Sequence, residues 1–334
     1  MSHEVDLKNT SIRTDLAVEL VDKKPTEKDG IKITEINLTE EEANKIKKKK
    51  GNYITIEFTD ITDYANKEKI KTIFTEELKK IIDKLKIKDT DLCLIIGLGN
   101  EKSTPDSLGP LTISKTLVTN HLYLYGDLEE GFRRVCALSP GVMGETGIET
   151  SDLIKEIAST IKPDFIITVD ALAASSVERV NKTIQITDSG INPGSGIGNK
   201  RKEISKDILG IPVIAIGVPT VVDAASIVND TINYMYSHFA YQKENYNNPK
   251  NKLTFNVNYL KYGSKKIQIE DRTKLLGIVG SLTEEETKSL IYEILNPIGY
   301  NLMVTPKEED FVVEKLSELI SEGLNSALHD KVSE

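Results

Sequence analysis

Three continuous apolar runs constrain the fold more than any other feature of this sequence. They are DLCLIIGLGN (91–100), DFIITVD (164–170) and IPVIAIGVPT (211–220). Runs without polar alternation are typical of strands that are buried on both faces of a parallel sheet. Segments with helical patterns alternate with these runs, and that alternation indicates βαβ units. We therefore predict an α/β fold with a doubly wound, mostly parallel sheet.

The first third of the chain carries a different pattern. IKITEINL (31–38) and YITIEF (53–58) alternate apolar and polar residues, as half-buried strands do. These segments predict an additional β-rich N-terminal portion. A polar insert rich in Asn and Lys is predicted at about 240–272. Apolar spacing predicts helices at 41–51, 65–86, 109–122, 149–161, 221–239, 284–296 and 308–328.

Composition excludes several classes of function. The 334 residues carry a net charge of −9, which argues against nucleic acid as the main partner. No apolar run approaches the roughly 20 residues that span a bilayer. Cys93 and Cys136 lie in apolar runs and are expected to be reduced, buried thiols of a cytoplasmic protein. The four histidines show no metal-ligand spacing, so neither a metal nor another cofactor is expected.

Two acids follow buried strands of the predicted sheet. Asp106 lies in the loop after the first run, and Asp170 directly follows FIITV. Each acid could cap a following helix. Adjacent strands lie about 5 Å apart, so the two carboxylates could instead meet over one crevice. A close pair shares a proton, and it can activate water for attack on an amide and protonate the departing nitrogen.

Glycine-rich and basic segments could complete such a site. Residues 139–152 include Gly144, and residues 188–205 include Lys200 and Arg201. Glycines let the backbone approach a ligand and present N–H groups to it. The second segment lacks the spacing of a phosphate-binding P-loop, and Lys102 interrupts a dinucleotide-type GxGxxG after the first strand. Plain connecting loops remain an alternative for both segments.

Near the N-terminus, TDLAVE (14–19) places acids on both sides of a short apolar stretch. No long apolar run follows Arg13, so the segment is not a secretory signal. It is also a poor helix start, because little periodic continuation follows it. An extended peptide of this kind needs a specific explanation.

Taken together, these motifs resemble the spore germination protease family, which comprises aspartic endopeptidases of spore-forming bacteria. The resemblance covers nearly the whole chain except the polar insert. The matching stretches are RTDLAVE (13–19), GLGN with TPDSLGP (97–110), PGVMGETGIETSD (140–152), PDFIITVDALAA (163–174), GINPGSGIGNKRKEIS (190–205), GIPVIAIGVPTVVDA (210–224) and NLMVTPKE (301–308).

The resemblance implies functions for several residues. Family members degrade small acid-soluble spore proteins during germination and cleave after an acidic residue, with Asp106 and Asp170 matching the family's catalytic aspartates. TDLAVE resembles the cleaved sequence, which implies a pro-segment at 1–15, self-cleavage between Asp15 and Leu16, and a single peptidase domain at 16–334. The resemblance also implies a homotetrameric zymogen of the spore interior, without a membrane or direct nucleic-acid partner, and a fold similar to hydrogenase-maturation endopeptidases.

One position departs from the family pattern, because Ser175 stands where an Arg is common. Without that Arg, binding of an acidic substrate residue would fall to Arg133, Arg134 or the basic run that contains Lys200 and Arg201. Two alternatives stay open. One is a nickel-assisted endopeptidase of the hydrogenase-maturation type, and the other is a nucleotide- or small-ligand-binding module without enzymatic activity.

Overall fold

The computed structural model of the chain describes residues 14–193, 202–245, 247, 268–295 and 302–333. Its strands are β1 (Thr26–Lys28), β2 (Ile31–Leu38), β3 (Gly51–Glu57), β4 (Cys93–Gly97), β5 (Val135–Leu138), β6 (Phe165–Ala174), β7 (Thr183–Thr187), β8 (Val213–Asp223) and β9 (Met303–Val304). Its helices are α1 (Glu40–Lys45), α2 (Tyr64–Lys84), α3 (Leu108–Lys115), α4 (Asn120–Tyr125), α5 (Met143–Thr146), α6 (Thr150–Ile161), α7 (Lys206–Leu209), α8 (Ala224–Asn245), α9 (Ile269–Leu276), α10 (Ile278–Ser281), α11 (Glu284–Leu295), α12 (Glu309–Leu328) and α13 (Asp330–Ser333).

The chain divides into two compact units. The larger comprises Arg13–Val221 and Thr305–Glu334, and the smaller includes Val222–Val304. In the smaller unit, β9 pairs antiparallel with Val222 and Asp223. Helices α8 and α11 of that unit form a small apolar cluster of their own. Most of the predicted polar insert, residues 248–267, lies outside the described residues.

The larger unit contains a mixed sheet with the strand order β1-β2-β3-β7-β8-β6-β4-β5. The predicted parallel pairing is present where β4 pairs with β5 on one side and β6 on the other. From β8 outward through β7, β3, β2 and β1, every pair is antiparallel. The sheet is therefore mixed and not mostly parallel, because the predicted β-rich N-terminal portion joins it as three antiparallel strands.

Helices cover both faces of this sheet. One face packs against α2 and α12, whose buried residues include Phe74 and Leu316. The opposite face packs against α6 through Ile154. A side chain at Gly323 would meet the Phe74 ring at 2.4 Å, so this glycine allows α12 to approach α2. The layers fix the edges of the parallel strands, where the candidate site lies.

Two boundaries differ from the sequence prediction. The helix expected at 109–122 is broken into α3 and α4, because Thr119 donates its N–H to the carbonyl of Val135 at 3.0 Å. Strand β6 continues past Asp170 to Ala174. Its neighbour in the sheet, β8, is similarly long, and Asp15 also donates its N–H to the Ala173 carbonyl at 3.0 Å. Within the described residues, no helix is long and apolar enough to span a membrane.

Candidate active site

The carboxyl edge of β4 and β6 forms the base of the candidate site. The two strands are parallel, with Gly97 opposite Val169, and Leu98 donates its N–H to the Val169 carbonyl at 2.8 Å. Asp170 is the next residue of β6 and is buried, with 5% of its surface exposed. One of its carboxylate oxygens, Oδ1, accepts from the N–H of Ala171 at 2.9 Å. This carboxylate is therefore withdrawn from bulk solvent beside the end of β4.

Asp106 lies in a short 3-10 turn, Thr104–Asp106, that packs against β6. The N–H of Asn100 donates to the Asp106 carboxylate Oδ2 at 2.9 Å and to its carbonyl at 3.0 Å. Thr220 of β8 donates its hydroxyl to the Pro105 carbonyl at 2.6 Å. These contacts fix the turn that carries Asp106 at the same edge of the sheet as Asp170.

Gly99 makes the close approach of this turn possible. It has a φ of +112°, which favours glycine, and a side chain there would come within 2.0 Å of the Asp106 carbonyl oxygen. The glycine-rich GLGN sequence therefore has a structural reason at the candidate site. It lets the backbone of the β4 loop lie directly against the residue that carries the first carboxylate.

Helix capping does not account for either aspartate. The N-cap residue of α3 is Ser107, and Asp106 bonds instead to Asn100. Asp170 is followed by four more strand residues and by no helix start. Neither aspartate is therefore itself an N-cap residue, although Asp106 directly precedes the N-cap residue of α3.

The segment Thr14–Glu19 is bound along the last residues of β6. Asp15 donates its N–H to the Ala173 carbonyl, and its carboxylate Oδ2 accepts the N–H of Ala173 at 2.9 Å. Glu19 accepts the N–H of Ser175 at 2.8 Å. Leu16 and Ala17 are completely buried. The predicted processing site is thus docked on the strand that carries Asp170.

The side chain of Gln185 on β7 spans the predicted cleavage bond. Its Nε2 donates to the carbonyl of Asp15 at 3.2 Å, and its Oε1 accepts from the N–H of Ala17 at 2.8 Å. Lys48 donates its Nζ to the carbonyl of Thr14 at 2.8 Å. Partial burial lowers the pKa of Lys48, and the charges of Asp15 and Glu19 oppose that lowering.

A cavity of about 210 Å³ lies beside this segment. Its wall includes Asp15 and Gln185 together with residues of both signs of charge, Lys47, Lys48 and Glu203. Lys49, also in the wall, forms ion pairs with Glu203 and Asp207. The cavity is the space next to the Asp15 side chain, and both polar and apolar residues line it.

Two of the predicted substrate-binding arginines lie elsewhere. Arg133 and Arg134 precede β5, at the amino end of the parallel strands, and so the structure does not bring them to the aspartates. Gly144 lies on α5, exposed, with open space where a side chain would be. Lys200 and Arg201 lie outside the described residues. Ser175 donates only its backbone N–H to Glu19 in this region.

Other sequence expectations concern metal and thiol chemistry. No group of three metal-ligating side chains occurs in the part of the chain that the structure describes. Burial raises the pKa of the thiols of Cys93 and Cys136, so both stay protonated and unreactive. Sequence reasoning missed Gln185, Lys48 and Arg179. Their contacts with residues 14–19 are long-range, and no local pattern marks them.

Comparison with known proteins gives consistent matches over the full chain. The sequence model of the family described as germination protease matches residues 2–334. A germination protease of Geobacillus sp. (strain WCH70) is 47% identical, over 100% of this chain and 98% of that protein. Those of Bacillus subtilis (strain 168) and Priestia megaterium are each 46% identical, covering 99% and 100% of this chain and 97% and 98% of theirs.

Proposed function

This chain belongs to the germination protease family, and from that premise we propose that it is an aspartic endopeptidase that degrades small acid-soluble spore proteins. Asp106 and Asp170 are its catalytic pair. The chain is made as a zymogen in the spore interior and cleaves itself between Asp15 and Leu16. The observation that supports the proposal is that Asp170 on β6 and the turn that carries Asp106 lie at the same edge of the sheet.

The catalytic step uses one ionised and one protonated carboxyl group. Two carboxylates in one crevice do not both ionise readily, so the pair holds one proton between them. The ionised member takes a proton from water as the water oxygen attacks the peptide carbonyl. The protonated member gives its proton to the departing nitrogen. Backbone N–H groups of the glycine-rich stretch 141–147 stabilise the developing oxyanion.

Self-cleavage requires the N-terminal segment to move. Asp15 is bound at Ala173, three residues beyond Asp170 on β6. At about 3.3 Å per strand residue, this separation is roughly 10 Å. The bound position of Thr14–Glu19 is therefore a resting position, in which the bond is held away from the carboxylates.

Acid is a suitable trigger for this movement. Asp15 and Glu19 hold the segment through charged hydrogen bonds and through Arg179, whose Nε lies 3.4 Å from Glu19 Oε1. Protonation of these carboxylates weakens those contacts, and it also supplies the proton that the catalytic pair shares. Glu4 and Asp6 of the pro-segment lie outside the described residues, and a contribution of their charge to the acid response stays a prediction.

The remaining elements of the proposal follow the family resemblance. The processed enzyme acts as a homotetramer on protein substrates, without a metal or another cofactor. Neither a nickel-assisted endopeptidase nor a small-ligand-binding module has a specific observation in its favour. The family match supports a peptidase over both.

Intact-mass spectrometry before and after incubation in mild acid tests the proposal. We expect the parent to lose a mass equal to Met1–Asp15, and Asp106→Asn and Asp170→Asn to retain it. Asp127→Asn is the matched control, since Asp127 is exposed between α4 and β5. Processing that persists in both catalytic variants would overturn the assignment of the two aspartates.

A further inference from the structure

Glu19 lies within reach of the backbone nitrogen that self-cleavage would release. In the intact chain, the hydroxyl of Thr14 bridges the two groups. It accepts the N–H of Leu16 at 3.0 Å and donates to Glu19 Oε2. The nitrogen and the carboxylate are therefore at most about two hydrogen-bond lengths apart. The three-residue spacing from Leu16 to Glu19 is also that of a capping box, in which a glutamate accepts from the N–H three residues earlier.

The Glu19 carboxylate has an unfilled acceptor. Its side chain is 4% exposed. Oε2 accepts from Ser175 as well as from Thr14, whereas the buried Oε1 accepts no hydrogen bond from any described residue. Oε1 has only the ion pair with Arg179, which is itself shared with Glu57 of β3 at 2.6 Å. A buried carboxylate oxygen without a donor is costly and favours a further donor.

Cleavage changes the donor next to this carboxylate. Water adds across the Asp15–Leu16 amide, and the C–N bond breaks. The water oxygen bonds to the Asp15 carbonyl carbon, and both water hydrogens end on nitrogen. The products are a carboxylate on Asp15, which leaves with Thr14, and an ammonium on Leu16. One amide hydrogen is thereby replaced by three hydrogens and a positive charge.

We propose that Glu19 receives this new α-ammonium group, so that processing replaces the Thr14 bridge with a buried ion pair between Leu16 and Glu19. The inference rests on self-cleavage after Asp15, as proposed above. Glu19 is a positioning residue, because it fixes the new N-terminus against β6 without touching the catalytic carboxylates. After cleavage the processed end returns to this position, where Ala17 bonds to Gln185 and packs in a small apolar cluster.

The charges around the new terminus favour this pairing. Arg179 and Lys48 are the cations that face it, with Glu19 and Glu57 as the carboxylates. Gln185 of β7 is neutral, and Asp170 lies three strand residues away from Ala173. Lys48 loses both the Thr14 carbonyl and the charge of Asp15 when the pro-segment leaves. Glu19 is the carboxylate that Thr14 already links to the Leu16 nitrogen.

Acetylation of the processed protein tests the ion pair. We expect acetic anhydride at pH 7 to label the Leu16 amine about tenfold more slowly in the parent than in Glu19→Gln, as measured by mass spectrometry of the N-terminal peptide. Glu57→Gln is the control, because it removes the other carboxylate bound to Arg179, and we expect a change below twofold. Equal rates in the parent and in Glu19→Gln would overturn the proposal.

The processed parent protein provides a second test, which does not depend on the folding of a variant. A solvent-exposed α-amine is labelled well before an exposed lysine, because its ordinary pKa is lower. The ion pair predicts that Leu16 is labelled no faster than the exposed Lys50. Rapid labelling of Leu16 ahead of Lys50 would contradict it.

These tests also separate this inference from self-cleavage itself. If acid removes nothing from the parent, the proposed self-cleavage fails. The same labelling is then done on a full-length chain in which a site-specific protease sequence replaces residues 12–15 and is cut after folding. Slow labelling of Leu16 supports the ion pair there, and rapid labelling overturns it.

Discussion

A buried or partly buried basic residue lies near each end of the parallel strands, Arg133 at the amino end and Lys48 at the carboxyl end. The two differ in whether processing would remove the hydrogen-bond partner. At the amino end, Arg133 is 4% exposed and donates to the carbonyls of Lys88 and Asp91. At the carboxyl end, Lys48 donates to the carbonyl of Thr14, which belongs to the proposed pro-segment. Both cations donate to backbone carbonyls, but only Lys48 has a partner that processing would remove. Whether a hydrogen-bond partner is kept or lost on processing therefore distinguishes a residue that supports stability from one that supports function. The burial of the residue is a poorer guide.

The largest expected effect concerns the carboxyl end. Asp170→Asn should lower the rate of peptide cleavage by about a thousandfold or more, because the variant lacks one group of the proton-sharing pair. Its thermal midpoint should stay close to that of the parent. The measurement is cleavage of an added protein substrate, with melting followed by circular dichroism. A cleavage rate within tenfold of the parent would remove Asp170 from the mechanism.

At the amino end we expect the opposite result, a loss of stability without a loss of activity. Arg133→Met should lower the free energy of unfolding by about 2–4 kcal/mol, because the carbonyls of Lys88 and Asp91 lose a buried charged donor. Cleavage by the folded fraction should be unchanged. Denaturant titration and the cleavage assay measure the two effects separately.

Arg134→Met is the matched control for this prediction. Its guanidinium stacks on the Tyr123 ring at 3.8 Å and donates to Asn120 at 3.2 Å, in a partly exposed position. We expect less than about 1 kcal/mol there. An Arg133→Met protein of parental stability that no longer cleaves would assign Arg133 to substrate binding after all.

The third prediction addresses the removable partner. Lys48→Met should speed self-cleavage about 5–10-fold, because one charged hydrogen bond no longer holds Thr14 in the resting position. Lys50→Met, which alters only an exposed ion pair with Glu40, should leave the rate unchanged. The time course of intact mass in acid is the measurement. A slower Lys48→Met would mean that Lys48 positions the bond for cleavage.

Much of this comparison could be predicted from the sequence, because it depends on local patterns. The bounds of IKITEINL match those of β2, although its buried residues change face between Ile33 and Ile36, and the apolar runs locate β4, β6 and β8. The sequence also predicted that both aspartates lie near the carboxyl end of β4, because each follows a buried apolar run. The contacts of Arg133 and Lys48 could not be predicted, because both residues lie near other basic residues in similar sequence. Arg133 is 42 residues from Asp91 in sequence, and Lys48 is 34 residues from Thr14. Only the assembled fold shows which carbonyl each of them binds.

The smallest expected effect is the acid response of the amino end. His329 is fully buried and accepts the N–H of Arg133 on Nδ1 at 3.2 Å. Burial lowers the pKa of His329, and the charge of Arg133 lowers it further. The unfolded chain therefore binds more protons than the folded one between the folded and unfolded pKa values. Stability should be complete above about pH 6.5 and should fall as the pH drops toward the lowered value.

One such group changes the free energy of unfolding by at most about 1.4 kcal/mol per pH unit. Denaturant titrations of Asp106→Asn between pH 7 and pH 5 avoid interference from self-cleavage. Adding His329→Asn to that background should flatten the pH dependence, and adding His238→Asn, in the smaller unit, should not. If the flattening is absent, the amino end takes no part in the acid response, and acid acts through the bound segment at the carboxyl end alone.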